Sequence, residues 1–172
     1  MNNLTNFNDL FSQMRLSSYN DDIVKHYDNL KFVGKITPKI ATLEIILRNK
    51  LDNKLSEKDS NWIKNSNDEN IKKAKDEIEY REKNRNLSHH QYLSRMSLGA
   101  IIHLIKENKL QNLRNRSYHW ENILKTTEKN GKHYPRLTTK IENTHIGLNP
   151  QKIDLFLSDL IKTFNEEILE YC

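Results

Sequence analysis

A chain of 172 residues has room for one helical core and little room for a second, and 35% apolar against 30% charged residues, with only four glycines and three prolines, argues against disorder and for helix-compatible segments. The lone cysteine, Cys172, excludes an intrachain disulfide and suits a reducing compartment, and no apolar run approaches the roughly 18 residues that cross a bilayer. The opening residues lack a signal-peptide pattern, so the expectation is a cytoplasmic chain with no membrane partner, one domain over residues 1–172, whose net charge of +5 favours polyanions at low salt without identifying one.

The first segment, Phe7 to Phe32, is expected to be helical with a break near Ser17-Ser18 or Asp21. Thr37-Pro38 then predicts a helix start, a capping hydroxyl followed by proline at the first helical position. Behind it Ile40, Leu43, Ile46, Leu47 and Leu51 recur at three- and four-residue steps, so this helix buries one stripe and ends near Leu55. The run from Ser56 to Asn86 alternates Lys with Asp or Glu and reads as an exposed helix braced by charge pairs or as a mobile loop.

Two further helices are expected over Gln91 to Glu107 and Gln111 to Lys125, joined by a short turn and therefore packed antiparallel. Thr126 to Leu148 holds Gly131, Pro135 and Gly147 among polar residues and predicts a long irregular connection, with no strand pattern. Asn149-Pro150 repeats the cap-and-proline device, and Ile153, Phe156, Leu157, Leu160, Ile161, Phe164 and Ile168 form the stripe of a C-terminal helix. The fold class these elements predict is all-α.

The chain carries no glycine-rich phosphate loop, no Cys/His metal spacing and no serine or cysteine nucleophile elbow, so neither a cofactor nor a metal is expected. Among its seven histidines, His119 stands out in Arg114-Asn115-Arg116-Ser117-Tyr118-His119-Trp120-Glu121. RNA cleavage by the 2′-hydroxyl needs a group to remove a proton, a group to protonate the leaving oxygen and a cation to hold the phosphate, and arginine with histidine supplies these. On a regular helix Asn115 and His119 share a face, whereas Arg114 and His119 diverge by about 140°. Arg114 would therefore reach around, sit at a distorted helix start, or face a symmetry mate. The plain structural reading makes Arg114 and Arg116 surface charges, His119 a hydrogen-bonded core-edge histidine and Trp120 core. The same spacing recurs in Arg85-Asn86-Leu87-Ser88-His89-His90, where Ser88 reads equally well as a helix N-cap.

The R-N-x-x-x-H pattern of Arg114 to His119 resembles the signature of HEPN domains, and Trp120-Glu121-Asn122-Ile123-Leu124 is similar to the stretch that comes after it in their Abi-like branch, with Trp120 for the usual second histidine and Asn122 for the usual proline. Leu43-Glu44-Ile45-Ile46-Leu47-Arg48-Asn49-Lys50-Leu51 and Leu93-Ser94-Arg95-Met96-Ser97-Leu98-Gly99 resemble two earlier segments of that family, in the family's order. The resemblance implies a HEPN-like bundle of long antiparallel helices, a homodimer with the Arg/His motifs near its two-fold axis, and a role in abortive infection or toxin–antitoxin systems. It further implies that Arg114 steadies the phosphate, His119 transfers protons and Asn115 orients the imidazole or the substrate. Arg116, Tyr118, Glu121 and Arg48 are supporting or RNA-binding candidates.

The function expected is a metal-independent RNA endonuclease. The alternative is a non-catalytic HEPN module that binds RNA, a nucleotide or a protein, including a cognate antitoxin or nucleotidyltransferase partner.

Overall fold

The computed structural model describes residues 10–83, 85–97, 99–100, 116–117, 119, 121–141 and 144–172. The chain is mostly helical and divides into two compact units, Met1–Ile40 with Asn112–Cys172, and Ala41–Gln111.

In the first unit a short helix α1, Gln13–Ser17, begins with the Ser12 hydroxyl accepting from the Arg15 N–H and ends in a turn where Asn20 and Asp21 hold positive φ angles of 58° and 57°. The break expected near Ser17-Ser18 is therefore present. Asp22 restarts the helix by accepting from the Val24 and Lys25 N–H groups at 2.9 and 3.3 Å. The resulting α2 runs unbroken from Ile23 to Ser56, with Pro38 inside it.

Thr37-Pro38 is thus not the helix start that its cap-and-proline chemistry predicts. A proline within a helix removes the bond its N–H would donate to the carbonyl four residues earlier, here that of Gly34. The apolar repeat outweighs that loss because it begins upstream of the proline. Positions 26, 29, 33, 36, 40 and 43 are all buried, at alternating steps of three and four. Thr37 turns its hydroxyl back to the Val33 carbonyl at 2.7 Å instead of capping.

The C-terminal segment starts as predicted: the Asn149 side chain accepts from the Gln151 N–H, Pro150–Lys152 forms a 3₁₀ turn, and α-helix Ile153–Lys162 comes directly after it. Ile153, Leu157 and Ile161 are fully buried at four-residue steps, while Phe156 and Phe164 remain partly exposed. Helix geometry stops at Lys162, and Glu166–Tyr171 is a separate 3₁₀ helix, so the predicted stripe to Ile168 is split. Asp154 fixes this helix to α2, accepting from Lys35 at 2.8 Å and Lys39 at 2.6 Å, and Lys39 also donates to the Ser158 hydroxyl at 2.8 Å.

The described residues of the 126–147 segment are not an irregular connection. They form two antiparallel hairpins, β1 Thr126–Lys129 with β2 Lys132–Pro135, and β3 Thr138–Ile141 with β4 Thr144–Gly147. The first register pairs Lys129 with Lys132 across Asn130-Gly131, both at positive φ, 55° and 69°, as a two-residue hairpin turn of matching twist requires. The absence of apolar alternation conceals these strands in the sequence, and every residue of β1 is exposed.

In the second unit the charged run organises into α3, Trp62–Asn65, and α4, Glu69–Arg81, and the next helix, α5, spans His89–Arg95. Trp62, Ile63, Ile71, Ile78, Leu87, Tyr92, Leu93 and Met96 form one core cluster. The Lys/Glu alternation is therefore the solvated side of a structured segment, neither an isolated exposed helix nor a loop. Ser88 caps α5 in a reciprocal capping box with Gln91. The helix predicted from Gln91 to Glu107 is interrupted: α5 ends at Arg95, where Met96 turns extended, Gly99 and Ala100 are helical again, and residues 101–111 lie outside the described residues.

Candidate functional site

The segment predicted as a helix to Lys125 is helical at Arg116 and Ser117, turns at His119, and has left helical geometry by Glu121. The Glu121 N–H donates to the Arg116 carbonyl at 2.9 Å, a five-residue closure that ends the helix. Two asparagines hold the backbone beyond it. Asn29, at a buried stripe position of α2, donates to the Glu121 carbonyl at 3.1 Å and accepts from the Ile123 N–H at 3.0 Å. Asn122 donates to the Ser18 carbonyl at 2.8 Å. Ile123, fully buried, completes the anchor. The Glu121 carbonyl and the Ile123 N–H are thus satisfied by a side chain, which permits a non-helical run against the core.

The anchored segment presents a charge cluster. One oxygen of Glu121, Oε2, accepts from Arg116 Nη1 and from Arg136 Nη2, both at 2.6 Å, in short charge-assisted bonds. Arg136 lies between β2 and β3, so the two hairpins deliver it to the cluster. Two guanidiniums against one carboxylate leave a net positive charge, and each of the three side chains is about a third exposed, open to an anion. His119 is exposed, within the loop that these contacts close.

Next to Ser18, which Asn122 holds, Tyr19 joins an aromatic group containing His26, which is 2% exposed and packs at ring distances of 5.2 Å from Phe11, 5.0 Å from Tyr19 and 5.7 Å from Tyr27. Neither ring nitrogen of His26, nor the Tyr19 hydroxyl, has a hydrogen-bond partner among the described residues. Burial lowers the His26 pKa, and the Arg15 cation lowers it further. Burial also pushes the Tyr19 phenol up, against the pull of Arg15 and Arg136. Both rings therefore stay neutral near pH 7.

Of the residues singled out from sequence, Arg116, His119 and Glu121 fall in this one segment. Arg114, Asn115 and Tyr118 lie outside the described residues. Arg48 belongs to the second unit, where its guanidinium donates to Glu44 at 3.0 Å and to the Met96 carbonyl at 3.3 Å. Arg85, Asn86 and His90 are exposed there. His89 instead binds Asp52, Nε2 to Oδ1 at 2.7 Å, and the same oxygen accepts from Trp62 Nε1 at 2.8 Å. Burial pushes the Asp52 carboxyl up, but bonds from His89, Trp62 and Ser56 outweigh it and hold the pKa below its ordinary value.

Asn29, Asn122 and Arg136 do not stand out in the sequence. Asn29 carries a usable signal, since it continues the apolar stripe backward from Ile40; Arg136 carries one only through the hairpin turn at Asn130-Gly131. Among the described residues no group of His, Cys, Asp and Glu is arranged to hold a metal ion, and no helix is long and apolar enough to cross a membrane. No protein-family model, curated protein or solved structure matches the chain.

Proposed function

We propose that the chain is an Abi-like HEPN protein and a metal-independent RNA endonuclease of abortive-infection or toxin–antitoxin type, working as a homodimer. The observation that carries this reading is the exposed His119 closing an R-N-x-x-x-H motif, on a segment that Asn29 anchors and that pairs Arg116 and Arg136 around Glu121. In the proposed reaction the ribose 2′-oxygen forms a bond to phosphorus as it loses its proton, and the bond from phosphorus to the 5′-oxygen breaks as that oxygen gains one. The products are a 2′,3′-cyclic phosphate and a 5′-hydroxyl. His119 serves one proton transfer and the partner copy's His119 the other, which meets the lack of a second histidine at Trp120. Arg114 steadies the phosphate, Asn115 orients imidazole or substrate, and Arg116 and Arg136 add positive potential.

The second reading is a binding module without cleavage, for RNA or for an antitoxin or nucleotidyltransferase partner. It is favoured by the pairing of Glu121 Oε2 with both Arg116 and Arg136, which spends part of their charge inside the protein. Labelled RNA incubated with the protein in chelator, beside a folded Arg114→Ala/His119→Ala variant, separates the two. Cyclic-phosphate ends produced by the wild type alone support the nuclease. Salt-sensitive binding without cleavage across varied RNAs refutes it in favour of the binding module.

A further inference from the structure

The second unit holds a pocket of about 450 Å³ lined by Lys64, Lys75, Glu79, Arg85, Asn86 and Tyr92. Its cations come from three places: α3 supplies Lys64, α4 supplies Lys75, and the connection into α5 supplies Arg85. None of the three forms a salt bridge among the described residues. Lys75 and Glu79 are four apart on α4 yet do not pair, the lysine-first order being the weaker one on a helix. The Glu79 Oε1 atom is occupied, accepting from the Tyr92 hydroxyl at 2.6 Å. Tyr92 is 3% exposed and forms a fixed wall, with the Lys64 ammonium 5.5 Å from its ring centroid. Burial, and then the hydrogen bond and charge of Glu79, push the Tyr92 pKa up to about 12, so it remains a donor at neutral pH.

The lining therefore offers three positive charges and one negative, together with the second oxygen of Glu79 as an acceptor. The net charge of two matches a phosphate monoester dianion, whereas a backbone phosphodiester carries one negative charge. The volume falls in the range of small-molecule pockets, roughly 300–1,000 Å³. We propose that this pocket binds a small phosphomonoester that also carries a hydroxyl or amino donor, the phosphate held by Lys64, Lys75 and Arg85 and the donor by Glu79. Such a ligand would bind whether or not the chain cleaves RNA.

The test is calorimetric titration of the full chain at low salt with ribose 5-phosphate, inorganic phosphate, ribose, and an oligoribonucleotide lacking terminal phosphates. Ribose 5-phosphate is expected to bind and ribose not to. Lys75→Gln/Arg85→Gln should weaken ribose 5-phosphate at least about tenfold, as the loss of two charge-assisted contacts implies. Lys64→Gln, at an exposed site, should weaken it on its own and guards against misfolding of the double variant. Lys129→Gln/Lys132→Gln removes the same charge from the β1–β2 hairpin and should leave binding within about twofold, because neither lysine lines the pocket and exposed charges are screened by salt. Glu79→Gln should tighten inorganic phosphate while narrowing the preference for ribose 5-phosphate over it. The proposal is overturned by absence of binding, by an equal loss in the hairpin variant, or by an oligoribonucleotide that binds as tightly as the monoester through the same residues.

Discussion

Replacing Asn29 with alanine tests whether the His119 segment is held as described. The side chain is 1% exposed, and its amide makes two bonds to the anchored backbone, to the Glu121 carbonyl and from the Ile123 N–H. Alanine leaves the N–H of a fully buried residue without a partner, which costs about 1–3 kcal/mol, and the carbonyl of a half-buried one, which loses about 0.5–1.5 kcal/mol. The sum is a loss of roughly 2–4 kcal/mol, read as a lower urea midpoint at unchanged slope. Asn29→Asp keeps the acceptor, loses the donor and buries a charge, so at neutral pH it should cost at least as much as alanine. It should recover part of the loss in acid, where a protonated carboxyl donates again. Cleavage, where present, should fall in Asn29→Ala even in urea-free buffer in which the variant is fully folded, because the segment presenting His119 has lost its clamp. A destabilisation below about 0.5 kcal/mol would refute the anchoring argument.

Asp52→Ala strips acceptors from the Trp62 indole and the His89 imidazole and should cost about 2–5 kcal/mol, whereas Asp52→Asn keeps an oxygen for both and should cost less. Because the folded Asp52 pKa lies below its unfolded value, its contribution is complete above the ordinary carboxylate range and is lost as pH falls through the lowered value; Asp52→Asn should flatten that acid limb of the stability profile, and an unchanged limb would count against the network. Glu121→Gln should change stability by no more than about 1 kcal/mol, since the cluster is partly exposed, yet should raise RNA affinity at low salt by releasing Arg116 and Arg136; equal affinity at low salt would argue that neither arginine meets RNA. Gly131→Ala meets no atom within 4 Å of the added carbon, so its cost should be the conformational one of a positive φ, about 1 kcal/mol, visible as faster amide exchange across β1 and β2.

The helices that begin with side-chain caps were legible wherever the cap preceded a clean apolar stripe, as at Asn149-Pro150. The same signal misled at Thr37-Pro38, because local chemistry is read over four residues and the stripe through Val33 and Ile36 begins well upstream of it. His26 and Asn29 hid the stripe's upstream half, since polar residues at buried positions read as surface. The first hairpin was invisible to periodicity because its exposed strands have no apolar alternation to read, leaving only the Asn130-Gly131 turn as a signal. The charged run concealed a core for the opposite reason: Trp62, Ile63, Ile71 and Ile78 are few among lysines and acids, and only Ile71 and Ile78, seven apart on α4, share a helix face by spacing.

The chain contains the R-N-x-x-x-H spacing twice, and the two copies show why spacing by itself does not specify chemistry. In the first, the histidine is the free element and the neighbouring arginine is committed: Arg116 spends its charge on Glu121 while His119 stays exposed. In the second, the arginine and the histidine at the matching positions, Arg85 and His90, are both exposed. Arg85 lines a pocket with Lys64 and Lys75, none of the three in a salt bridge among the described residues, and the adjoining His89, one place short of the spacing, packs inward against Asp52. Proton transfer needs an accessible imidazole, and anion binding needs an uncompensated cation. The local carboxylates act on residues beside the paired positions, Glu121 on Arg116 of one copy and Asp52 on His89 of the other. Releasing those residues, by removing Glu121 or Asp52, is therefore a sharper probe of what each copy does than removing the arginine or histidine itself.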